Sequence, residues 1–152
     1  MEKTAQATLS APITVQGKKT DILTLRRATL GDDEDAMDMA ISFNRGNNPV
    51  TVELCTLSIV TGVPYDVLRT LDEDDIGAIR AAHNSLRPTK PKKKGGRNRD
   101  GYDARGRLHG LRLAMLSLAK FSGWSRTEIR NLTPEAFVGY ADAAKDMDDN
   151  GA

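Results

Sequence analysis

The sequence is poor in the residues that build cross-links and reactive sites. It has one cysteine, Cys55, and two histidines, His83 and His109. One cysteine excludes an intramolecular disulfide, and neither histidine has a cysteine or second histidine at metal-ligand spacing. We expect both histidines to be solvated and Cys55, in the apolar pattern Val52, Leu54, Cys55 and Leu57, to be a small buried residue. The sequence therefore predicts no catalytic, cofactor-binding or metal-binding residue, and no enzymatic activity.

Large apolar side chains are also scarce. The 152 residues include three Phe, three Tyr and one Trp, so any hydrophobic core must be modest, and self-association would help to cover it. No run of about 18 apolar residues occurs, which predicts no membrane span. The N-terminal residues lack the basic and then apolar form of a signal peptide, so we expect a cytoplasmic protein.

Charge is distributed unevenly, although the formal net charge is only +1. Residues 87–107 carry nine basic and two acidic side chains, a net charge of +7, among Pro, Gly and polar residues. This composition predicts a flexible basic linker. Because such a segment could contact phosphates, a small nucleic-acid-binding helical protein is the alternative functional interpretation. The acidic residues 32–35 could hold a divalent ion, but a helix N-terminus explains them better.

Apolar spacing and turn signals predict a mostly α fold with a small N-terminal β-hairpin. The strands are expected at 7–16 and 20–27, with a turn at residues 17–19. Helices follow at about 30–43, 50–61, 64–68, 72–86, 108–122, 125–130 and 133–144, with N-caps at Thr29, Asp72, Ser125 and Thr133. We expect two small helical lobes, residues 1–86 and 108–145, joined by the flexible basic linker 87–107 and followed by an acidic tail, 146–152.

An internal repeat links the two lobes. Sliding the sequence by 61 residues sets residues 57–79 on residues 118–140, apolar on apolar. The repeated unit is a helix stopped by Gly, a short helix, a Leu at the joint and an N-cap before a long helix. Chance is the alternative, since such signals recur in helical proteins. The matched pairs include Gly62 with Gly123, Arg69 with Arg130 and Leu71 with Leu132. The two arginines are interpreted as charges at helix C-termini, with a ligand or partner contact as the alternative.

The C-terminal lobe has a broad apolar helix and few residues to cover it. Trp124 follows the turn glycine, and it belongs either to the core or to a partly exposed anchor for a partner. We predict that Leu113, Phe121 and Trp124 form a partner-binding surface.

Three motifs in residues 7–86 resemble the tail assembly chaperones of long-tailed bacteriophages. Residues 25–32 read LRRATLGD, where family members typically show L-R-R-P-T-x-G-D, so Ala28 replaces the usual Pro. Residues 61–64 read TGVP, and residues 68–75 read LRTLDEDD, matching T-G-x-P and L-x-x-L-D-x-x-D. Residues 116–140 are similar to downstream segments of phage-tail chaperones.

The resemblance implies a function in virion assembly. Such a protein binds the long helical tape measure protein, keeps its apolar surfaces soluble, helps to recruit tail tube subunits and is absent from the mature virion. It would work in the host cell cytoplasm and would need no nucleic acid, membrane or cofactor. The family often makes a longer product by ribosomal frameshifting, and residues 92–95, KKKG, could be encoded by a slippery A-rich run. We therefore hypothesise that this chain is the long form.

Overall fold

The structure, a computed structural model, describes residues 3–88 and 103–149. In these residues a two-stranded antiparallel hairpin precedes seven helices. The strands are β1 (Thr4–Val15) and β2 (Lys18–Arg26), and the helices are α1 (Leu30–Ser42), α2 (Pro49–Thr61), α3 (Tyr65–Leu68), α4 (Glu73–Ser85), α5 (Ala104–Ser122), α6 (Arg126–Arg130) and α7 (Pro134–Asp149). The predicted fold class, mostly α with a small β-hairpin, is confirmed.

Packing divides the chain into two compact units, each discontinuous in sequence. The first unit comprises the described residues of 1–27 and 53–102, and the second those of 28–52 and 103–152. These units differ from the predicted lobes, because α1 packs with α5 and α6 in the second unit. Whether residues 1–86 and 108–145 fold separately stays a prediction.

The hairpin of the first unit packs on α4 through one face. Ala7 is paired with Leu23, and both are buried, as is Leu25 two residues further along β2. Alternate residues of a strand point to the same side, so this pattern gives the hairpin one apolar face. Asp75 in the first turn of α4 accepts hydrogen bonds from the backbone N and Oγ of Ser10, both at 2.8 Å. The ribbon is therefore held to the helix by apolar and polar contacts.

The hairpin turn lies one residue earlier than predicted. It consists of Gln16 and Gly17, with φ values of +50° and +77°, and Lys18 already pairs with Val15 in the ladder. Positive φ at both central residues is the pattern of the two-residue turns that match strand twist. Gln is an unusual residue at such a position, so composition pointed to the glycine and the two lysines instead.

The two helical segments of the predicted repeat have the same order of elements. Gly62 after α2 and Gly123 after α5 both adopt positive φ, +73° and +71°, a conformation that glycine adopts without strain. The predicted N-caps are also present: Asp72 accepts from the backbone N of Asp75 at 2.8 Å, and Thr133 Oγ1 accepts from that of Ala136 at 3.3 Å. The element order predicted from the repeat is confirmed.

Part of the predicted linker is helical. The side chain of Asp103 caps α5 by accepting a hydrogen bond from the backbone N of Arg105 at 3.0 Å, and Ala104 is buried. Helix α5 therefore includes residues 104–107, which we had assigned to the linker because their side chains are mainly polar or glycine. Of the predicted linker 87–107, residues 89–102 lie outside the described residues.

The core of the second unit lies between α1 and the three C-terminal helices. The buried core residues are Leu30, Met115, Leu118, Ile129 and Phe137. The backbone N of Leu30, at the start of α1, donates to the carbonyl of Leu132 at 2.8 Å. Helix α7 continues to Asp149, so residues 146–149 of the predicted acidic tail are helical.

His83 is buried, so the prediction that both histidines are solvated is wrong for it. It lies one helical turn after Ile79 on α4, and therefore shares the face that packs into the first unit. His109 is exposed, as predicted. Cys55 is fully buried, which confirms its interpretation as a structural residue.

We expect Cys55 to resist thiol reagents in the folded chain. Burial raises the pKa of its thiol to about 11, so only about one thiol in a thousand is ionised at pH 8. Ellman's reagent should therefore label the native protein slowly and label one thiol per chain rapidly in urea. Rapid stoichiometric labelling without denaturant would contradict the described burial.

Candidate partner-binding surface

Helix α5 carries apolar side chains on its exposed side as well as on its buried side. Met115 and Leu118 belong to the core of the second unit. Leu116 is 67% exposed and Phe121 48%, and Leu113 is also half-exposed. A surface helix normally confines its apolar residues to one stripe, so the apolar residues on the exposed side make α5 a candidate partner-binding surface.

One flank of α5 borders a groove against α7, which we call the α5–α7 groove. Small residues on both helices leave an opening of about 240 Å³, and Phe121 stands at its edge. The lining residues are Ala114, Ser117, Leu118, Phe121, Ala141, Ala144 and Lys145. The groove is mainly apolar, so it suits apolar side chains of a partner.

The opposite flank of α5 borders a second groove, against α6, which we call the α5–α6 groove. It encloses about 170 Å³. Its lining residues are Arg112, Met115, Leu116, Ala119, Arg126 and Ile129. The two arginines stand beside an apolar floor, and the side chain of Arg126 is the more exposed of the two.

The three predicted partner-binding residues occupy different environments. Phe121 lines the α5–α7 groove, and Leu113 lies between the two flanks in helical order. Trp124 is half-buried against the core of the second unit, and its ring meets that of Tyr140 edge to face, with centroids 5.0 Å apart. Their role in binding stays a prediction. Sequence reasoning missed Leu116, because it assigned this residue to the same apolar face as Met115.

A buried carboxylate holds α5 and α6 against α1. Glu34 is fully buried, and its Oε1 accepts from Arg112 Nε at 2.8 Å and from Arg126 Nη2 at 2.5 Å. Its Oε2 accepts from Arg130 Nη1 at 2.6 Å. Two more exposed carboxylates complete the group, which we call the Glu34 cluster: Asp38 pairs with Arg112 and Asp35 with Arg130. Three carboxylates face three guanidinium groups, so the charges are balanced.

The arginines keep Glu34 ionised. Burial alone would raise the pKa of this carboxyl, but the hydrogen bond from Arg112 and the positive charges of Arg126, Arg130 and Arg112 outweigh it and lower the pKa. Arg130 lies in the last turn of α6, as predicted, and it also forms ion pairs with Glu34 and Asp35 inside the second unit. Arg69 instead lies 5.7 Å from the centre of the Tyr65 ring.

The described residues offer two candidate binding surfaces. Within residues 3–88 and 103–149, no group of three or more His, Cys, Asp or Glu side chains could hold a metal ion. None of the helices in the described part of the chain is long and apolar enough to cross a membrane. The features that stand out are the two grooves beside α5 and the Glu34 cluster that positions it.

Comparison with known proteins identifies the N-terminal part of the chain. The family model described as "Phage tail assembly chaperone proteins, E, or 41 or 14" matches residues 6–87, just over half of the sequence. No curated protein and no solved structure matches the chain. The match runs from the hairpin through α4, whereas α5, α6 and α7 lie beyond it. The chain therefore belongs to the phage tail assembly chaperone family.

Proposed function

We propose that this chaperone binds the tape measure protein, keeps its apolar helices soluble and helps to recruit tail tube subunits. Membership of the family supports a role in tail assembly, and the family is a chaperone class rather than an enzyme class. In this proposal the protein acts in the host cell cytoplasm and leaves before the virion is mature.

The observation that carries the proposal is the exposed apolar side of α5. Phe121 lines the α5–α7 groove, whose small residues leave room for side chains of another helix, and Leu113 is half-exposed on the side of α5 between the two flanks. An amphipathic helix binds such a groove by placing apolar residues one turn apart into it. A long helical partner with exposed apolar residues fits this mode of binding.

Charge introduced beside the groove should weaken this interaction. A tape measure fragment that is insoluble alone would be co-expressed with the chaperone, and its soluble, co-purifying fraction would be measured. We expect Phe121→Glu to weaken binding about thirtyfold, because an aromatic anchor contributes about 2 kcal/mol. Leu113→Glu should have a smaller effect of the same sign. Glu is a good helix former, so the helix itself should persist.

Leu116→Glu provides the matched control. It places the same charge on the same helix, at a more exposed residue on the opposite flank. The soluble fraction should stay at the wild-type level with this variant. Circular dichroism would verify that all three variants fold. If folded Phe121→Glu and Leu113→Glu solubilise the fragment as well as the wild type does, the α5–α7 groove is not the binding surface.

The basic segment supports two further hypotheses that the described residues do not address. Residues 92–95 are the proposed site of frameshifting, which would make this chain the long form. The coding DNA tests this directly, since a single frame without a slippery heptamer would remove the idea. Nucleic-acid binding by the same segment stays the alternative, and it would be recognised by a steep dependence of DNA binding on salt.

A further inference from the structure

Near its C-terminal end, α7 carries an exposed methionine, Met147, whose neighbours in sequence are acidic. Between Pro134 and Asp149, α7 carries five acidic side chains and one lysine, a net charge of −4. Met147 is 59% exposed. Tyr140, Ala143 and Met147 follow one another at helical spacing and are all exposed, so they form an apolar strip on the acidic helix. We call this the α7 strip.

The α5–α6 groove has the complementary character. Its floor is formed by Met115 and Ile129, which are buried, and Leu116 stands exposed at its edge. Arg112 and Arg126 border it, and Arg126 is 66% exposed although its Nη2 donates to Glu34. The exposed part of that guanidinium can therefore receive a second carboxylate.

The size of the α5–α6 groove favours an apolar side chain as its occupant. About 170 Å³ is well below the roughly 300 Å³ at which sites for small molecules begin. The mostly exposed guanidinium of Arg126 borders this apolar groove, so an apolar side chain flanked by carboxylates matches it both in shape and in charge.

We propose that the α5–α6 groove of one copy of the chain receives the α7 strip of a second copy. Met147 enters the groove, and carboxylates of the acidic helix face Arg112 and Arg126. The donor belongs to another copy, because α7 packs on the opposite flank of α5 in its own chain. Both surfaces lie beyond the family match at residues 6–87, so the association is a property of this chain's C-terminal helices.

The two surfaces are different, so the contact joins copies head to tail. Such an interface repeats into open chains of copies unless its rotation closes a ring. The weight-average molecular mass of the protein in solution should rise with protein concentration. It should fall as the salt concentration rises from about 0.05 M to about 0.5 M, since salt screens the charge pairing. The proposal does not depend on tape measure binding, which uses the other groove.

Two variants test the contact by mixing. Leu116→Glu blocks the groove and leaves the α7 strip intact, whereas Met147→Glu blocks the strip and leaves the groove intact. Analytical ultracentrifugation should show that each variant alone has an association constant at least about tenfold below the wild type. Mixed together, they should form a one-to-one dimer that grows no further. Val138→Glu, at an exposed apolar residue off the α7 strip, should associate like the wild type.

Three results would overturn the proposal. The first is a wild-type chain that stays monomeric at all concentrations, and the second is a mixture in which the two variants do not restore the dimer. The third is wild-type association by both folded variants. Leu116→Ala and Met147→Ala, which add no charge, repeat the test if either Glu variant fails to fold. Loss of self-association with unchanged tape measure solubility would leave the proposed function intact.

Discussion

Replacing Glu34 by alanine should lower the free energy of unfolding by about 3 kcal/mol. The substitution removes a fully buried carboxylate and leaves Arg112, Arg126 and Arg130 facing one another without it. Breaking a buried pair from one side costs about 3 to 5 kcal/mol, and the partial exposure of the arginines places this case at the lower end. Urea unfolding followed by circular dichroism measures the change.

Asp38→Ala is the matched control for this prediction. Asp38 lies on the same helix and pairs with the same Arg112 at 2.7 Å, but it is 51% exposed. Exposed ion pairs contribute about 1 kcal/mol or less, so the loss should be correspondingly small. Equal effects of Glu34→Ala and Asp38→Ala would show that burial of Glu34 does not contribute to stability.

The contribution of Glu34 should also depend on pH. Because its pKa is lowered in the folded chain, the contribution is fully present above the unfolded value, about 4.3, and is lost as pH falls through the folded pKa. The stability difference between the wild type and Glu34→Gln should therefore be constant near neutral pH and shrink below about pH 4. A stability difference between the two proteins that grows as the pH falls would contradict a lowered pKa of Glu34 in the folded chain.

Ile129→Ala should destabilise the chain by about 3 to 4 kcal/mol. Ile129 is fully buried in the core of the second unit with Leu30, Met115, Leu118 and Phe137. Its truncation removes apolar burial and leaves a cavity that a short helix such as α6 can fill only partly. Thermal and urea unfolding should both report the loss.

Leu116→Ala serves as the comparison for that core substitution. It truncates a side chain of similar size on the adjacent helix, but one that is mostly exposed. Its effect should stay within about 0.5 kcal/mol. A loss for Ile129→Ala no larger than for Leu116→Ala would contradict the described core.

Local signals made most of the helices predictable from sequence. Thr29, Asp72, Ser125 and Thr133 cap helices as expected, since a cap is specified within four residues. Gly62 and Gly123 end helices for an equally local reason. The predicted boundaries were less accurate where they rested on amino-acid composition and not on a capping signal. Residues 104–107, at the start of α5, were assigned to the linker because they contain few apolar side chains, although helix formation depends on backbone and capping as well.

Long-range contacts were not predictable in the same way. The ion pairs of Glu34 span 78, 92 and 96 residues, and nothing in the local sequence around it identifies which distant cations it meets. One signal was present: Glu34 and Asp38, like Arg126 and Arg130, are spaced four apart and so share a helix face. The grouping of α1 with the C-terminal helices follows from these contacts, and so could not be derived from periodicity.

The candidate surface was predictable only in part. An apolar excess on α5 is visible in the sequence, and it correctly identified exposed side chains at Leu113 and Phe121. Which flank each apolar residue occupies depends on the placement of α6 and α7. For that reason Leu116 was missed and Trp124 proved to be half-buried.

Binding of the tape measure protein at the α5–α7 groove is tested most directly by site-specific crosslinking. Benzoylphenylalanine would replace Phe121 in one sample and Lys18, an exposed residue at the start of β2, in another. After irradiation of the soluble complex, position 121 should crosslink strongly to the tape measure fragment and position 18 weakly or not at all. Equal crosslinking from both positions, or none from position 121 in a complex that has formed, would contradict binding at the α5–α7 groove.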